Sequence, residues 1–273
     1  MCQECGCGVS GGDVKIGGHS PVDHGHHHAH GDHGHPDHGH DHGHLHGTKT
    51  LDLNVSLMAK NDRLAERNRG FFHAKKLLVL NVVSSPGSGK TTFIRETAVQ
   101  LAGKLRVGVI VGDLATDNDA ARLRGAGIPV VQITTGTVCH LDADMVSKAA
   151  EQLDLDQLDV LVIENVGNLV CPADYDLGED LRVVLLSTTE GEDKPLKYPP
   201  MFHSAHVAIV TKSDLAKAAG FDREVALANL NRVSHHAEIF ELSSKTGKGM
   251  KPWLDYLVNL RAQGGVQPAH HHH

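Results

Sequence analysis

From Lys76 to about residue 260, short runs of consecutive apolar residues alternate with longer stretches of helical character. The runs are Leu77–Val83, Val107–Val111, Pro129–Ile133, Val160–Ile163, Val183–Leu186, Val207–Val210 and Ala237–Leu242. A strand wetted on one face alternates apolar with polar side chains. Most of these runs do not, as expected of parallel strands covered on both faces. Between them Thr91–Leu101, Leu141–Leu153, Arg223–Val233 and Lys251–Leu260 read as helices. Parallel neighbours need a crossover connection. The repeated alternation therefore predicts an α/β, doubly wound domain with a mostly parallel sheet over 76–263.

The rest of the chain reads differently. Between His19 and His46, 13 of 28 residues are histidine, interleaved with Gly and Asp, and Val22, Ala29 and Leu45 are the apolar side chains there. Such a segment buries too little surface to offset its ordering entropy, so 1–48 is expected to be a disordered Cys/His-rich metal-binding tail. Leu53, Leu57, Asn61 and Leu64 recur at helical spacing, which predicts a connecting helix over 49–75. Residues 264–273 read as a flexible C-terminus, with His270–His273 resembling a purification-tag remnant. A formal charge of −7 argues against a nucleic-acid binder. The sequence has no run of about 18 apolar residues, so no membrane association is expected. Met1-Cys2-Gln3-Glu4-Cys5 lacks the basic start and apolar core of a secretory signal, which predicts a cytoplasmic protein. In that reducing compartment five cysteines suggest metal or catalytic thiols rather than disulfides.

The first run leads into Ser84-Ser85-Pro86-Gly87-Ser88-Gly89-Lys90-Thr91. This fits the phosphate-loop pattern G-x-x-x-x-G-K-[ST], with Ser84 in place of the first glycine. Gly87 and Gly89 would let backbone amides wrap an anion at a helix N-terminus. Gly87, Ser88, Gly89, Lys90, Thr91 and Thr92 are thus the expected phosphate cradle. Lys90 would reach the β- and γ-phosphates, and the Thr91 hydroxyl would ligate Mg²⁺.

Further strand ends carry the other nucleotide candidates. Thr211-Lys212-Ser213-Asp214 resembles the N-K-x-D element of GTPases, with Thr for Asn. The Asp214 carboxylate could accept both N1–H and N2–H of guanine, a donor pair that adenine lacks. Ser243-Ser244-Lys245 resembles the loop that supports the guanine oxygen, so GTP is favoured over ATP. Glu164-Asn165-Val166-Gly167 resembles D-x-x-G: Glu164 would hold a water of Mg²⁺, and the Gly167 amide would sense the γ-phosphate. Asp113 is the candidate to position the attacking water or the hydration shell of the metal. Lys90, Asp113 and Glu164 make up the expected catalytic set, whereas Asp117 and Asp119 read as solvated or capping residues. No arginine finger is identifiable, so intrinsic turnover should be slow.

The soft ligands form two groups. Cys139 and His140 are adjacent, and Cys171 lies four residues beyond Gly167, within the segment that would respond to nucleotide. Thiolate and imidazole suit Zn²⁺ or Ni²⁺. Three ligands leave a position for water or for a second subunit, as a symmetric dimer would supply. Cys2, Cys5 and Cys7 place three thiols in six residues and could wrap one Ni²⁺ in a square-planar N/S site. An iron–sulfur fragment or a zinc knuckle has similar spacing, so the metal stays open there. The histidine tract reads as metal storage by local concentration.

Taken together, these motifs resemble the hydrogenase nickel-incorporation GTPases. The marks are the opening C-x-x-C-G-C, Ser85-Pro86-Gly87-Ser88-Gly89-Lys90-Thr91-Thr92, Cys139-His140-Leu141-Asp142, and Glu164 through Pro172. The resemblance implies a slow GTPase that delivers Ni²⁺ to the precursor of the [NiFe]-hydrogenase large subunit, working with a HypA-type nickel chaperone. It also implies a GTP-promoted homodimer. It assigns Lys90, Thr91, Asp113, Glu164, Lys212, Asp214 and Lys245 to nucleotide and Mg²⁺. Cys2, Cys5 and Cys7 go to a tight nickel site, and Cys139, His140 and Cys171 to a weaker Zn²⁺/Ni²⁺ site between subunits. Some members of the wider dimerising class carry a lysine where this chain has Ser85, so a cross-subunit lysine from that position is not expected. A urease nickel-insertion GTPase, a nickel-storage protein and an ATP-dependent small-molecule kinase are the rival readings.

Overall fold

The computed structural model describes residues 15–16, 46–114 and 116–264, with side chains within 55–114 and 116–264. Its strands are β1 (Lys15–Ile16), β2 (Leu78–Ser84), β3 (Val107–Asp113), β4 (Val130–Thr134), β5 (Val160–Glu164), β6 (Leu181–Ser187), β7 (Val207–Thr211) and β8 (Glu238–Glu241). The helices are α1 (His46–Ala74), α2 (Lys90–Leu101), α3 (Asn118–Arg124), α4 (Ala143–Ala150), α5 (Lys194–Lys197), α6 (Pro199–His203), α7 (Ala216–Ala219), α8 (Arg223–Val233) and α9 (Met250–Ala262). The sheet order is β1-β4-β3-β5-β2-β6-β7-β8. Seven strands, β2 to β8, pair in parallel, and the two-residue β1 joins the β4 edge antiparallel. This is the doubly wound, mostly parallel sheet that the apolar runs predict.

Alternate residues of β2 explain the continuous run. Leu78, Leu80 and Val82 pack with Phe93, Leu101 and Trp253 on one face. On the other face Val79 packs with Phe72 and Leu141, and Val83 with Phe202. Both sides of the strand are buried, so neither can be polar without a partner. Asn81 breaks the run and is fully buried. Its side chain donates to Glu179 Oε1 and accepts from Asn165 Nδ2.

Three details of the expected elements differ in the structure. The tail, expected to lack order to residue 48, contains β1, and α1 starts at His46. The free edge of β4 supplies the backbone hydrogen bonds that composition could not reveal, with Lys15 opposite Thr134. Cys2, Cys5, Cys7, the residues between 17 and 45, and 265–273 lie outside the described residues. The buried stripe of α1 is also displaced: Asn61, Ala65, Asn68 and Phe72 are buried, whereas Leu57 is exposed. Asn68 Nδ2 donates to Ala143 O at 2.8 Å and Leu177 O at 3.1 Å, and Asn61 Nδ2 donates to Asp176 O at 2.8 Å. This helix is therefore held to the domain by amides that satisfy backbone carbonyls of α4 and of the loop before β6. Last, α4 is shorter than the stretch Leu141–Leu153: Asp142 caps its start by accepting from Met145 N at 2.8 Å, and it ends at Ala150.

Candidate functional site

The last residues of β2, β3, β5 and β7 are Ser84, Asp113, Glu164 and Thr211, and all lie on one rim of the sheet. The carboxyl ends of parallel strands are where open α/β sheets bind ligands. Ser84 opens the loop into α2. Gly87 and Gly89 take φ of 74° and 100°, a region a side chain rarely adopts, so both positions require glycine. The Lys90 ammonium donates to Ser84 Oγ at 3.1 Å, and Ser88 Oγ also donates to that oxygen. Ser84 is thus more than a substituted glycine, since its hydroxyl holds the lysine over the loop. Burial lowers the Lys90 pKa, with Glu164 acting against the shift.

Thr91 Oγ1 donates to Glu164 Oε1 at 2.7 Å. Burial pushes the Glu164 carboxyl up to about 7, although the Thr91 hydrogen bond and the Lys90 charge pull it down. Glu164 Oε2 is buried and has no hydrogen-bond partner. An orphaned carboxylate oxygen beside a threonine hydroxyl is the donor set that a hard divalent cation takes. The residues present therefore fit Mg²⁺, with Thr91 and Glu164 as those that would hold it.

These groups line a cavity of about 540 Å³ that also includes Thr92, Asp113, Gly167 and Lys212. Gly167 packs tightly on the loop, where a Cβ would come within 3.1 Å of Pro86 Cα and 3.3 Å of Lys90 Nζ. Asp113 accepts from Thr116 Oγ1 at 2.6 Å. The two acidic residues read as bland divide. Asp117 pairs with Arg124 at 2.7 and 2.9 Å, while Asp119 lines the cavity with Arg122. Neither Asp119 nor Arg122 belongs to a motif, so only the placement of α3 reveals them. Lys194 donates to Ser85 Oγ at 3.4 Å, so a cation from the same chain does approach the loop's second position.

A second cavity of about 500 Å³ continues from the first and shares Gly89, Thr92 and Lys212 with it. It adds Asp214, Ser243, Ser244 and Lys245. Lys212 Nζ donates to Gly87 O at 2.7 Å, and Thr211 Oγ1 donates to Ser88 O at 3.1 Å. The threonine standing where N-K-x-D has Asn therefore still ties this loop to the phosphate loop. Asp214 Oδ1 accepts from Ser243 Oγ at 2.6 Å, joining the two base-side segments.

Cys139, His140 and Cys171 also meet on this rim. Their ligating atoms all lie within 4.8 Å of one another, the one such cluster among the described residues. The Cys139 loop follows β4 and is tied to the end of β3, with Thr135 N donating to Asp113 O at 2.9 Å. Cys171 opens a single helical turn, Cys171–Asp174. His140 is buried and stacks on Tyr175, ring centroids 3.9 Å apart. Burial lowers its pKa, opposed by Asp142, which favours the neutral, metal-ligating imidazole.

A phosphate loop, an acidic switch and a base-side T-K-x-D on a parallel sheet define a P-loop nucleotide-binding protein of the GTPase kind. Residues 78–241 match the family model described as the CobW/HypB/UreG nucleotide-binding domain. The chain is 51% identical over 213 residues to hydrogenase maturation factor HypB of Escherichia coli, covering 78% of this chain and 73% of that protein. It is 40% identical over 219 residues to the hydrogenase/urease maturation factor HypB of Helicobacter hepaticus, covering 79% and 90%. The crystal structure of Helicobacter pylori HypB in complex with nickel superposes with a TM-score of 0.73 at 39% identity, covering 77% of this chain and 99% of that one. The chain belongs to the CobW/HypB/UreG family, within its HypB group of hydrogenase maturation factors.

Proposed function

We propose that this protein is a GTPase whose hydrolysis cycle drives delivery of Ni²⁺ into the precursor of the [NiFe]-hydrogenase large subunit. One observation carries the reading: Cys139, His140 and Cys171 converge within 4.8 Å, and Cys171 follows the nucleotide-facing Gly167 by four residues. The relative crystallised with nickel supports nickel as the cargo. Zn²⁺ suits the same thiolates and imidazole and competes for them. GTP promotes a homodimer in this reading, and a HypA-type chaperone is the partner that exchanges the metal.

The chemistry follows from the groups on the rim. Gly87 and Gly89 free the loop amides to surround the phosphates, and Lys90 offers its ammonium to their negative charge. Mg²⁺, when bound, supplies charge compensation at the phosphates. Asp113 would orient water, and Asp214 with Lys245 would select guanine. Gly167 rests against Pro86 and Lys90, so loss of a terminal phosphate there alters the packing of the segment leading to Cys171.

The test is nickel affinity of the Cys139/His140/Cys171 site with GDP and with a non-hydrolysable GTP analogue, alongside hydrogenase maturation in cells carrying Lys90→Ala. The reading expects affinities that differ between nucleotides and cells without mature hydrogenase. Equal affinities, or normal maturation, would overturn it. The relative named for both hydrogenase and urease supports a second nickel enzyme as recipient. Urease and hydrogenase activities assayed separately after gene deletion distinguish the two.

A further inference from the structure

The amide of Asn165 sits between the nucleotide cavity and both halves of the Cys/His cluster. It lies one residue after Glu164 and is fully buried. Its Oδ1 accepts from Val166 N at 2.9 Å, within the switch, and from Leu141 N at 3.3 Å, next to His140. Its Nδ2 donates to Asn81 Oδ1 at 3.2 Å. Asn81 Nδ2 donates in turn to Glu179 Oε1 at 3.0 Å, and the Arg182 guanidinium donates to the same oxygen at 3.1 Å. Arg182 then grips the segment after Cys171, donating to Ala173 O at 2.8 Å and to Tyr175 O at 2.7 Å. One arm of this network ends beside Cys139 and His140. The other ends on the turn that carries Cys171 and on the tyrosine that stacks against His140.

Burial makes the arrangement demanding. Asn165, Asn81, Glu179 and Arg182 are all buried, so a broken hydrogen bond is not replaced by water. A shift of the backbone at 164–167 must therefore either carry Leu141 with it or strand a buried donor. We propose that Asn165 is the positioning residue that couples nucleotide state to the geometry of the Cys139–His140–Cys171 cluster, through Leu141 on one side and through Asn81, Glu179 and Arg182 on the other. This rests on the nickel-delivery reading and specifies its transmission. The Arg182 grip on Ala173 and Tyr175 ties the turn after Cys171 to β6, so a shift at 164–167 changes the spacing between Cys171 and the Cys139–His140 pair.

The test uses the full-length chain with Cys2, Cys5 and Cys7 changed to Ser, which leaves Cys139 and Cys171 as the thiols of a five-cysteine sequence. Ni²⁺ is titrated by its thiolate charge-transfer absorption in the presence of GDP and of a non-hydrolysable GTP analogue. With Asn165 intact the two affinities should differ by roughly tenfold, within the usual range of coupling between sites. Asn165→Ala should bring them to within about twofold of each other. Asn165→Asp keeps an oxygen for Leu141 and Val166 but loses the donor to Asn81; it should retain part of the difference and serves if the alanine variant does not fold. A nucleotide-dependent difference as large as the parent's in either variant overturns the assignment. So does an equal loss of affinity in both nucleotide states, the mark of a purely structural role. No difference in the Asn165 parent overturns the delivery reading itself, and this assignment with it.

Discussion

Thr91 Oγ1 lies 2.7 Å from Glu164 Oε1, and the other oxygen of that carboxylate, Oε2, is buried without a partner. The pair closes the space between the start of α2 and the end of β5. Glu164→Gln keeps the shape of the side chain and removes its charge. We expect Mg²⁺-dependent GTP hydrolysis to fall by about two to three orders of magnitude, the usual scale for losing a preorganised charge. Phosphate release measured against Mg²⁺ concentration checks this, and turnover within tenfold of the parent would remove Glu164 from the metal site.

Asp214 tests the choice of base. Its exposed carboxylate is oriented by Ser243, whose hydroxyl donates to it at 2.6 Å. Asp214→Asn replaces one acceptor by a donor facing the guanine N–H groups. Affinity for GTP should drop by about two orders of magnitude or more, since a site left with unmatched polar groups discriminates strongly. Affinity for ATP should hardly change. Competition between labelled GTP and either nucleotide provides the measurement; equal loss for both would mean that Asp214 supports the loop rather than the base.

The Glu179–Arg182 pair predicts an acid-sensitive step. Burial, the largest influence, raises the Glu179 pKa, but the Arg182 charge and the hydrogen bonds from Asn81 and Leu177 outweigh it and hold the carboxyl at about 2. A carboxylate depressed in the folded state stabilises the protein fully above its unfolded value and loses that contribution as pH falls toward the folded one. The window here is about pH 4.5 down to about 2. Glu179→Gln should cost about 3–5 kcal/mol at neutral pH, because it leaves Arg182 buried and unpaired. Urea midpoints of the two proteins should converge as pH falls through that window. A constant gap would show that the charge of Glu179 is not what stabilises the fold.

Gly178 reports on how α1 is held. Its φ is +88°, and a Cβ there would lie 2.6 Å from Ala65 O and 2.7 Å from Asn68 Cβ. Gly178→Ala should therefore push α1 away and strand the carbonyls that Asn68 satisfies. The expected loss is about 3 kcal/mol or more, combining backbone strain with unmade buried hydrogen bonds. Thermal unfolding together with amide exchange at 61–72 checks this. Unchanged protection there would mean that the helix does not need this contact.

The apolar runs, the phosphate loop and the order of the motifs were enough to specify the sheet and to bring Lys90, Thr91, Glu164, Lys212 and Asp214 to its rim. Periodicity and turn chemistry are local, and parallel strands leave few ways to arrange such runs. The Cys139/Cys171 cluster was legible because each cysteine falls just beyond a strand that ends on that rim. Asn165, Asn81, Glu179 and Arg182 were not legible in this way. A buried amide in a strand reads as a break in an apolar run until its partners, 84 and 98 residues away, are known. Asp119 and Arg122 were hidden for the same reason, since it is the packing of α3 that turns them toward the phosphate cavity. Sequence by itself determined which chemical groups the chain carries and which strand ends display them. Tertiary structure decided which buried polar groups meet, because hydrogen bonds form over about 3 Å while their partners lie far apart along the chain.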